Sequence, residues 1–235
     1  MRIGIIGAMD IEIALLKEKA HVEKTEVFAG MEFNTGRIGD TEAVICRSGI
    51  GKVAAALCVQ ILADRYNVTH IINTGIAGSL NDSLRIGDIV VSSEALYHDV
   101  DAVYFGYPIG VMPGAGTLTF KADEQMAACA MNILQKEDPS IRVIRGRIAT
   151  GDQFIAEKKR KEWIRDTFHG DCTEMEGCAI AHACTLNQIP FVIIRAISDQ
   201  ADDDAGVTYE EFENHSANIC AGLVFEMVRS MGQDA

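Results

Sequence analysis

FVIIRAISD, residues 191–199, is an apolar run of strand length that ends in a serine and then an aspartate. Ligands of α/β proteins bind outside the carboxyl ends of sheet strands, so Asp199 stands where a chemical group would stand. Upstream, Thr173-Glu174-Met175-Glu176-Gly177 places two carboxylates around an apolar residue, ahead of a small-residue helix expected over Glu176–Leu186. Near the amino terminus, Asp10-Ile11-Glu12 follows Arg2–Gly7, which alternates too little for a half-exposed strand and reads as a buried one. Three strand ends, each offering an acid, point to acid–base work on a small neutral substrate.

Around these landmarks the elements interleave. Asp10 to about Ala20 carries Ile11, Leu15 and Leu16 among charges, the pattern of an amphipathic helix. Short strands are expected over Glu26–Gly30, Met31–Ile38 and Glu42–Cys46, then an alanine-rich helix over Gly51–Asp64 and buried strands at Ile71–Thr74 and Asp88–Ser92. A helix near Asp123–Gln135, a strand near Arg142–Thr150, a charged helix from Glu157 and a final helix from about Tyr209 complete the order. No repeat or linker interrupts it. The expected architecture is one α/β domain over residues 1–235, three layers deep, with a central mixed, mainly parallel twisted sheet flanked by helices. Tyr97–Gly116 differs from its surroundings: Tyr97, Tyr104, Phe105 and Tyr107 sit in a long turn-rich loop, and such aromatics cover a pocket or meet another subunit.

Bulk composition narrows the partners. A formal charge of −13 argues against nucleic acid, whose binding needs cationic neutralisation, but leaves room for a neutral ligand. Seven cysteines without a CxxC pair read as small buried hydrophobes in a reducing compartment. With no charged-then-apolar leader and no apolar run of about 18 residues, neither a membrane span nor export is expected, and the location inferred is cytoplasmic. His98 beside Asp99 and Asp101 imitates a metal cluster, yet no second histidine lies at ligand spacing; a structural pair is the better reading, and no metal is assigned.

Glycine-rich stretches need the same discrimination. Gly4-Ile5-Ile6-Gly7 lacks the spacing of a dinucleotide loop. Ser48-Gly49-Ile50-Gly51-Lys52-Val53 resembles the end of a phosphate-binding loop, but Cys46 and Val53 replace its glycine and hydroxyl residue. Together with Thr74-Gly75-Ile76-Ala77-Gly78, these stretches either bring backbone close to a ligand or are plain tight turns. Read on residues alone, Glu12 is better explained by the helix dipole than by catalysis, and Asp199 could equally be a helix N-cap or a solvated turn residue.

The order of motifs is more specific than any one of them. SGIGKVAAA (48–56), IINTGIAG (71–78), GDIVVS (87–92), YHDVDA (97–102), TGDQFI (150–155), EMEG (174–177) and RAISD (195–199) follow one another as in the 5′-methylthioadenosine/S-adenosylhomocysteine nucleosidases. The chain resembles a full-length member of that family, within the nucleoside phosphorylase-like superfamily. The resemblance implies hydrolysis of an N-glycosidic bond in methionine salvage, without cofactor. It implies that Asp199 protonates adenine N7 with Ser198 orienting it, that Glu12 activates water, and that Glu176 holds the ribose hydroxyls. Phe154 and Ile155 would bind the base, the first by its aromatic face and the pair by main-chain groups. Met9, Ile50, Met175 and Tyr209 would line the sugar and thioether end, with Ala77 and Gly78 also against the substrate. It further implies a homodimer in which Phe105 and Pro113 of the 97–116 loop complete the neighbour's pocket.

Departures are few. Tyr209 stands where the family usually has phenylalanine, Ile76 where some members have serine, and AMDIE replaces a run of three glutamates while retaining Glu12. Glu174 reads as a surface or structural acid without an assigned role. The rivals are a phosphorylase of the same superfamily, for which Arg47, Lys52 and Arg195 are the available bases, and a hydrolase of another adenine nucleoside such as 6-amino-6-deoxyfutalosine. A noncatalytic nucleoside sensor is the rival from another class, and it would need no water-activating acid.

Overall fold

The computed structural model describes residues 1–137 and 139–232. Its ten-stranded sheet grows from β1 (Arg2–Gly7), which pairs in parallel with β4 (Thr41–Arg47) on one side and β5 (His70–Ser79) on the other. Beyond β4 the chain adds two antiparallel strands, β3 (Met31–Ile38) and β2 (His21–Phe28). On the far side, β5 pairs in parallel with β10 (Phe191–Asp199) and antiparallel with β9 (Cys172–Glu174). β10 joins β6 (Ile89–Tyr97), β6 joins β8 (Val143–Thr150), and β8 joins β9, so these five strands close a circuit. β7 (Phe120–Lys121) pairs only with β6. The sheet is mixed as expected, with five parallel and five antiparallel pairings.

Helices cover both faces, which gives the three layers. α2 (Lys52–Tyr66) and α5 (Gly177–Asn187) bury Cys58, Val59, Leu62, Cys178 and Ile180 against one face. α1 (Asp10–Lys19), α3 (Glu124–Glu137) and α6 (Ala205–Met231) bury Ile13, Leu16, Met126, Ala127, Val224 and Met227 against the other. α4 (Lys158–Phe168) packs Ile164 and Phe168 with Leu80, Leu96 and Ile155 in a smaller cluster. β10 lies between the two main clusters, and all nine of its residues are buried. That accounts for its unbroken apolar run.

Several boundaries differ from the sequence reading, and long-range pairing explains each. β5 does not stop at Thr74; it continues through Gly75–Gly78, because β10 pairs with it as far as Gly78 and β9 from Gly78 onward. This glycine stretch is strand, not turn. β6 runs past Ser92 to Tyr97, where β8 still pairs with it. β2 starts at His21 and ends at Phe28 rather than spanning Glu26–Gly30. α6 begins at Ala205, directly after Asp202-Asp203-Asp204. The 97–116 loop contains one 3₁₀ turn, Val103–Phe105, whose Tyr104 and Phe105 are 93 % and 75 % exposed. All seven cysteines are free and only Cys129 is not buried.

Candidate active site

The carboxyl ends of β1, β5, β9 and β10 open into one cavity of about 520 Å³. Met9, Glu12, Ile50, Ala77, Gly78, Phe154, Met175, Glu176, Ser198, Asp199 and Tyr209 all line it, eleven of the positions expected from the sequence. Ile155 does not; its side chain is buried in the α4 cluster beneath. Phe105 and Pro113 lie outside the cavity of their own chain. Ala8, Ile76, Thr173, Glu174, Gly206 and Glu210 also line it without having been singled out as contacts. Most of them adjoin a residue that was, and this was their only signal.

Glu12 enters from the first turn of α1 and is held by backbone on both oxygens. Oε2 accepts the amides of Ala8 (2.6 Å) and Met9 (3.0 Å), and Oε1 accepts that of Ile76 (3.0 Å). Burial raises its pKa, against the opposing pull of Arg195 and the three amides. It therefore satisfies the start of α1 and faces the cavity at once. Asp199 is buried too and is neither a helix cap nor solvated. Oδ2 accepts the Ser198 hydroxyl at 2.8 Å and Oδ1 the Ala201 amide at 2.8 Å. Desolvation again raises its pKa, more than these bonds lower it.

Glu176 precedes α5, and its Oε1 accepts the Gly51 amide at 2.9 Å. Burial, reinforced by the neighbouring Glu174 charge, pushes its pKa up to about 8. Glu174 is buried rather than superficial: it accepts hydrogen bonds from the Thr150 hydroxyl and Arg195, and from the amides of Glu176 (3.0 Å) and Gly177 (2.7 Å). Arg195 is fully buried between three glutamates. β5 must pass very close to it. A Cβ on Gly75 would lie 1.9 Å from Arg195 Nη1 and 2.4 Å from Glu12 Oε1. Gly75→Ala is expected to cost about 1–3 kcal/mol by overpacking, read as a lower Tm, together with lost activity.

At the apolar end Phe154, 51 % exposed, meets the Tyr209 ring edge-on at 5.6 Å, so it is no core residue. The Tyr209 hydroxyl donates to Met9 Sδ at 3.3 Å. His98 is buried against Gly151 and makes no hydrogen bond to Asp99; Asp99 instead takes Lys52 at 2.6 Å. The expected His98–Asp99 pair is thus replaced by a Lys52–Asp99 pair. Among the described residues no group of three or more histidine, cysteine or acidic side chains is arranged to hold a metal.

The raised acids make stability depend on pH in a definite direction. Glu176 passes from 4.5 in the unfolded chain to about 8 in the fold. Its stabilising contribution is therefore complete below about pH 4.5 and is lost as pH rises through about 8. Glu12 and Asp199 act with the same sign. The Tm of the ligand-free protein is expected to fall between pH 5 and pH 8, and Glu176→Gln to flatten that slope.

Buried acids at the ends of strands in a mixed α/β sheet define the class: residues 2–229 match the family described as the phosphorylase superfamily. A nucleosidase of this type from Geobacillus sp. (strain WCH70), 5′-methylthioadenosine/S-adenosylhomocysteine nucleosidase, is 42 % identical over 98 % of this chain and 99 % of its own. The crystal structure of the corresponding enzyme from Colwellia psychrerythraea 34H in complex with adenine superposes with a TM-score of 0.93 at 43 % identity, over 97 % of this chain and 94 % of that one. Futalosine hydrolase of Helicobacter pylori also superposes at 0.93, with 32 % identity over 98 % of each chain. The chain belongs to the 5′-methylthioadenosine/S-adenosylhomocysteine nucleosidases, enzymes that hydrolyse N-glycosidic bonds.

Proposed function

We propose that this enzyme cleaves 5′-methylthioadenosine and S-adenosylhomocysteine to adenine and 5-methylthioribose or S-ribosylhomocysteine, with Asp199, Glu12 and Glu176 as its working acids. Cleavage of the bond leaves an oxocarbenium-like sugar and expels adenine as an anion unless the base is protonated. Asp199 supplies that proton at N7; its raised pKa keeps it protonated at higher pH than a free aspartic acid. Glu12 draws a proton from water as it attacks the sugar, and Glu176 grips the ribose hydroxyls. The observation that carries this reading is the opening of Glu12 and Asp199, from opposite ends of the chain, into one cavity.

Water, not phosphate, is the nucleophile on electrostatic grounds. Arg195 is committed to three glutamates, Arg47 pairs with Asp10 at 3.0 Å, and Lys52 pairs with Asp99 at 2.6 Å and Asp152 at 3.6 Å. The amino end of α2, which resembled a phosphate loop, already gives its Gly51 and Lys52 amides to Glu176 and Asp152. A phosphate charge at 4 Å from one carboxylate is repelled by about 4 kcal/mol at an effective dielectric near 20. Incubation of 5′-methylthioadenosine with and without phosphate is expected to give free 5-methylthioribose at equal rates by mass spectrometry. A sugar 1-phosphate, or a phosphate requirement, would establish the phosphorylase instead.

The likeness to futalosine hydrolase supports a second substrate reading, 6-amino-6-deoxyfutalosine, through the same grip on adenine and ribose. A homodimer is part of the proposal. Exposed Val103, Tyr104 and Phe105, with Val53 and Leu57 on α2, offer apolar surface for a second copy, and Phe105 and Pro113 would then close the partner's pocket. Seven unpaired cysteines support a reducing, cytoplasmic setting; no helix among the described residues is long and apolar enough to cross a membrane.

A further inference from the structure

Glu174 lies among the working acids yet has no part in the chemistry assigned to them. It sits at the end of β9 and draws together three elements: Thr150 of β8, the first amides of α5, and Arg195 of β10. Arg195 is anchored from β5 as well, where Nη2 donates to Asn73 Oδ1 at 2.7 Å. Its approaches to the two ligand-facing acids are longer. Nη2 is 3.6 Å from Glu176 Oε2, and Nη1 is 3.9 Å from Glu12 Oε1. One cation is therefore divided unequally among three carboxylates, and the tightest contact goes to the acid that the reaction does not use.

We propose that Glu174 is a positioning residue that holds the Arg195 guanidinium back from Glu12 and Glu176, so that neither is quenched by a close ion pair. A cation in direct contact depresses a carboxylate pKa by about 1–3 units. A Glu12 so clamped is a weaker base towards water, and a Glu176 so clamped has an oxygen drawn away from the ribose hydroxyls. Several ionisable groups around this quartet are held neutral by burial, and Glu210 on α6 shares the cavity with it. Burial raises Tyr209 and Cys220 on α6, Cys172 on β9 and Cys178 on α5, and it lowers His98, directly after β6, to about 4. Asp199 lies on the same cavity, held by Ser198 and Ala201.

The inference rests on Glu12 being the base, so Glu174→Gln and Glu12→Gln are measured side by side, as kcat/KM for 5′-methylthioadenosine against pH. In Glu174→Gln the guanidinium falls back on Glu12 and Glu176. The rising acid limb is then expected about one pH unit lower, and the plateau at least about tenfold lower. A Glu174 that merely supports the fold would lower the rate and leave the limb where it is, and that result overturns the proposal. Should the glutamine variant not purify, Glu174→Asp keeps the charge but withdraws it from Arg195; a smaller shift in the same direction is expected, and a wild-type limb overturns it equally. Failure of the Glu12 assignment reads differently, as full turnover in Glu12→Gln.

Discussion

Asp199→Asn is expected to lose about 10²–10⁴-fold in turnover while remaining folded. Asparagine matches the carboxyl group in shape, and its carbonyl oxygen still accepts the Ala201 amide that Asp199 takes at 2.8 Å. The Ser198 hydroxyl can reverse to accept from the new amide nitrogen. What disappears is the transferable proton, so the loss falls on kcat and spares binding. Two measurements separate this from a packing defect. The variant should bind adenine with wild-type affinity, and a ribosyl substrate whose leaving group needs no protonation should recover most of the rate. Near-normal turnover of 5′-methylthioadenosine would remove Asp199 from the acid role.

Glu12→Gln carries the second large effect, and here stability changes as well. Three backbone amides, those of Ala8, Met9 and Ile76, converge on the two oxygens of Glu12. Glutamine offers one accepting oxygen and a nitrogen that cannot accept, so at least one buried amide loses its partner, at about 1–3 kcal/mol. Loss of the base adds about 10²–10⁴-fold in turnover. Thermal melting and kcat read the two consequences separately. A variant with reduced Tm but undiminished kcat would make Glu12 a structural residue of α1 and nothing more.

The parts of the fold that were legible in the sequence are those whose signal is local. FVIIRAISD became β10 residue for residue, and Asp199 and Glu12 were found because an apolar run followed by a polar residue needs only a short window to see. Gly75–Gly78 misled for the same reason. Glycine density reads locally as a turn, whereas β9 and β10, about a hundred residues away in sequence, pull the segment into β5. The three-residue β9 carries no periodicity at all. Arg195 looked like a spare base for phosphate, and Glu174 like a surface or structural acid with nothing local to choose between the two. Only their burial and mutual contact, set by strand pairing, show that the two neutralise each other. His98 and Asp99, adjacent in the chain, point to different neighbours.

The closed circuit of β5, β10, β6, β8 and β9 has a mechanical consequence. A loop of strands offers no rim from which pairing can peel away, so its amide protons should be among the last in the molecule to exchange with solvent. Asp199 and one of the three amides that grip Glu12, that of Ile76, are part of that loop, and Glu176 follows it by two residues. The wall of the cavity built from this circuit is therefore expected to change little when a nucleoside arrives. A tight-binding mimic of the ribosyl cation should consequently meet a finished mould, and the free energy of its contacts should appear almost undiminished as affinity.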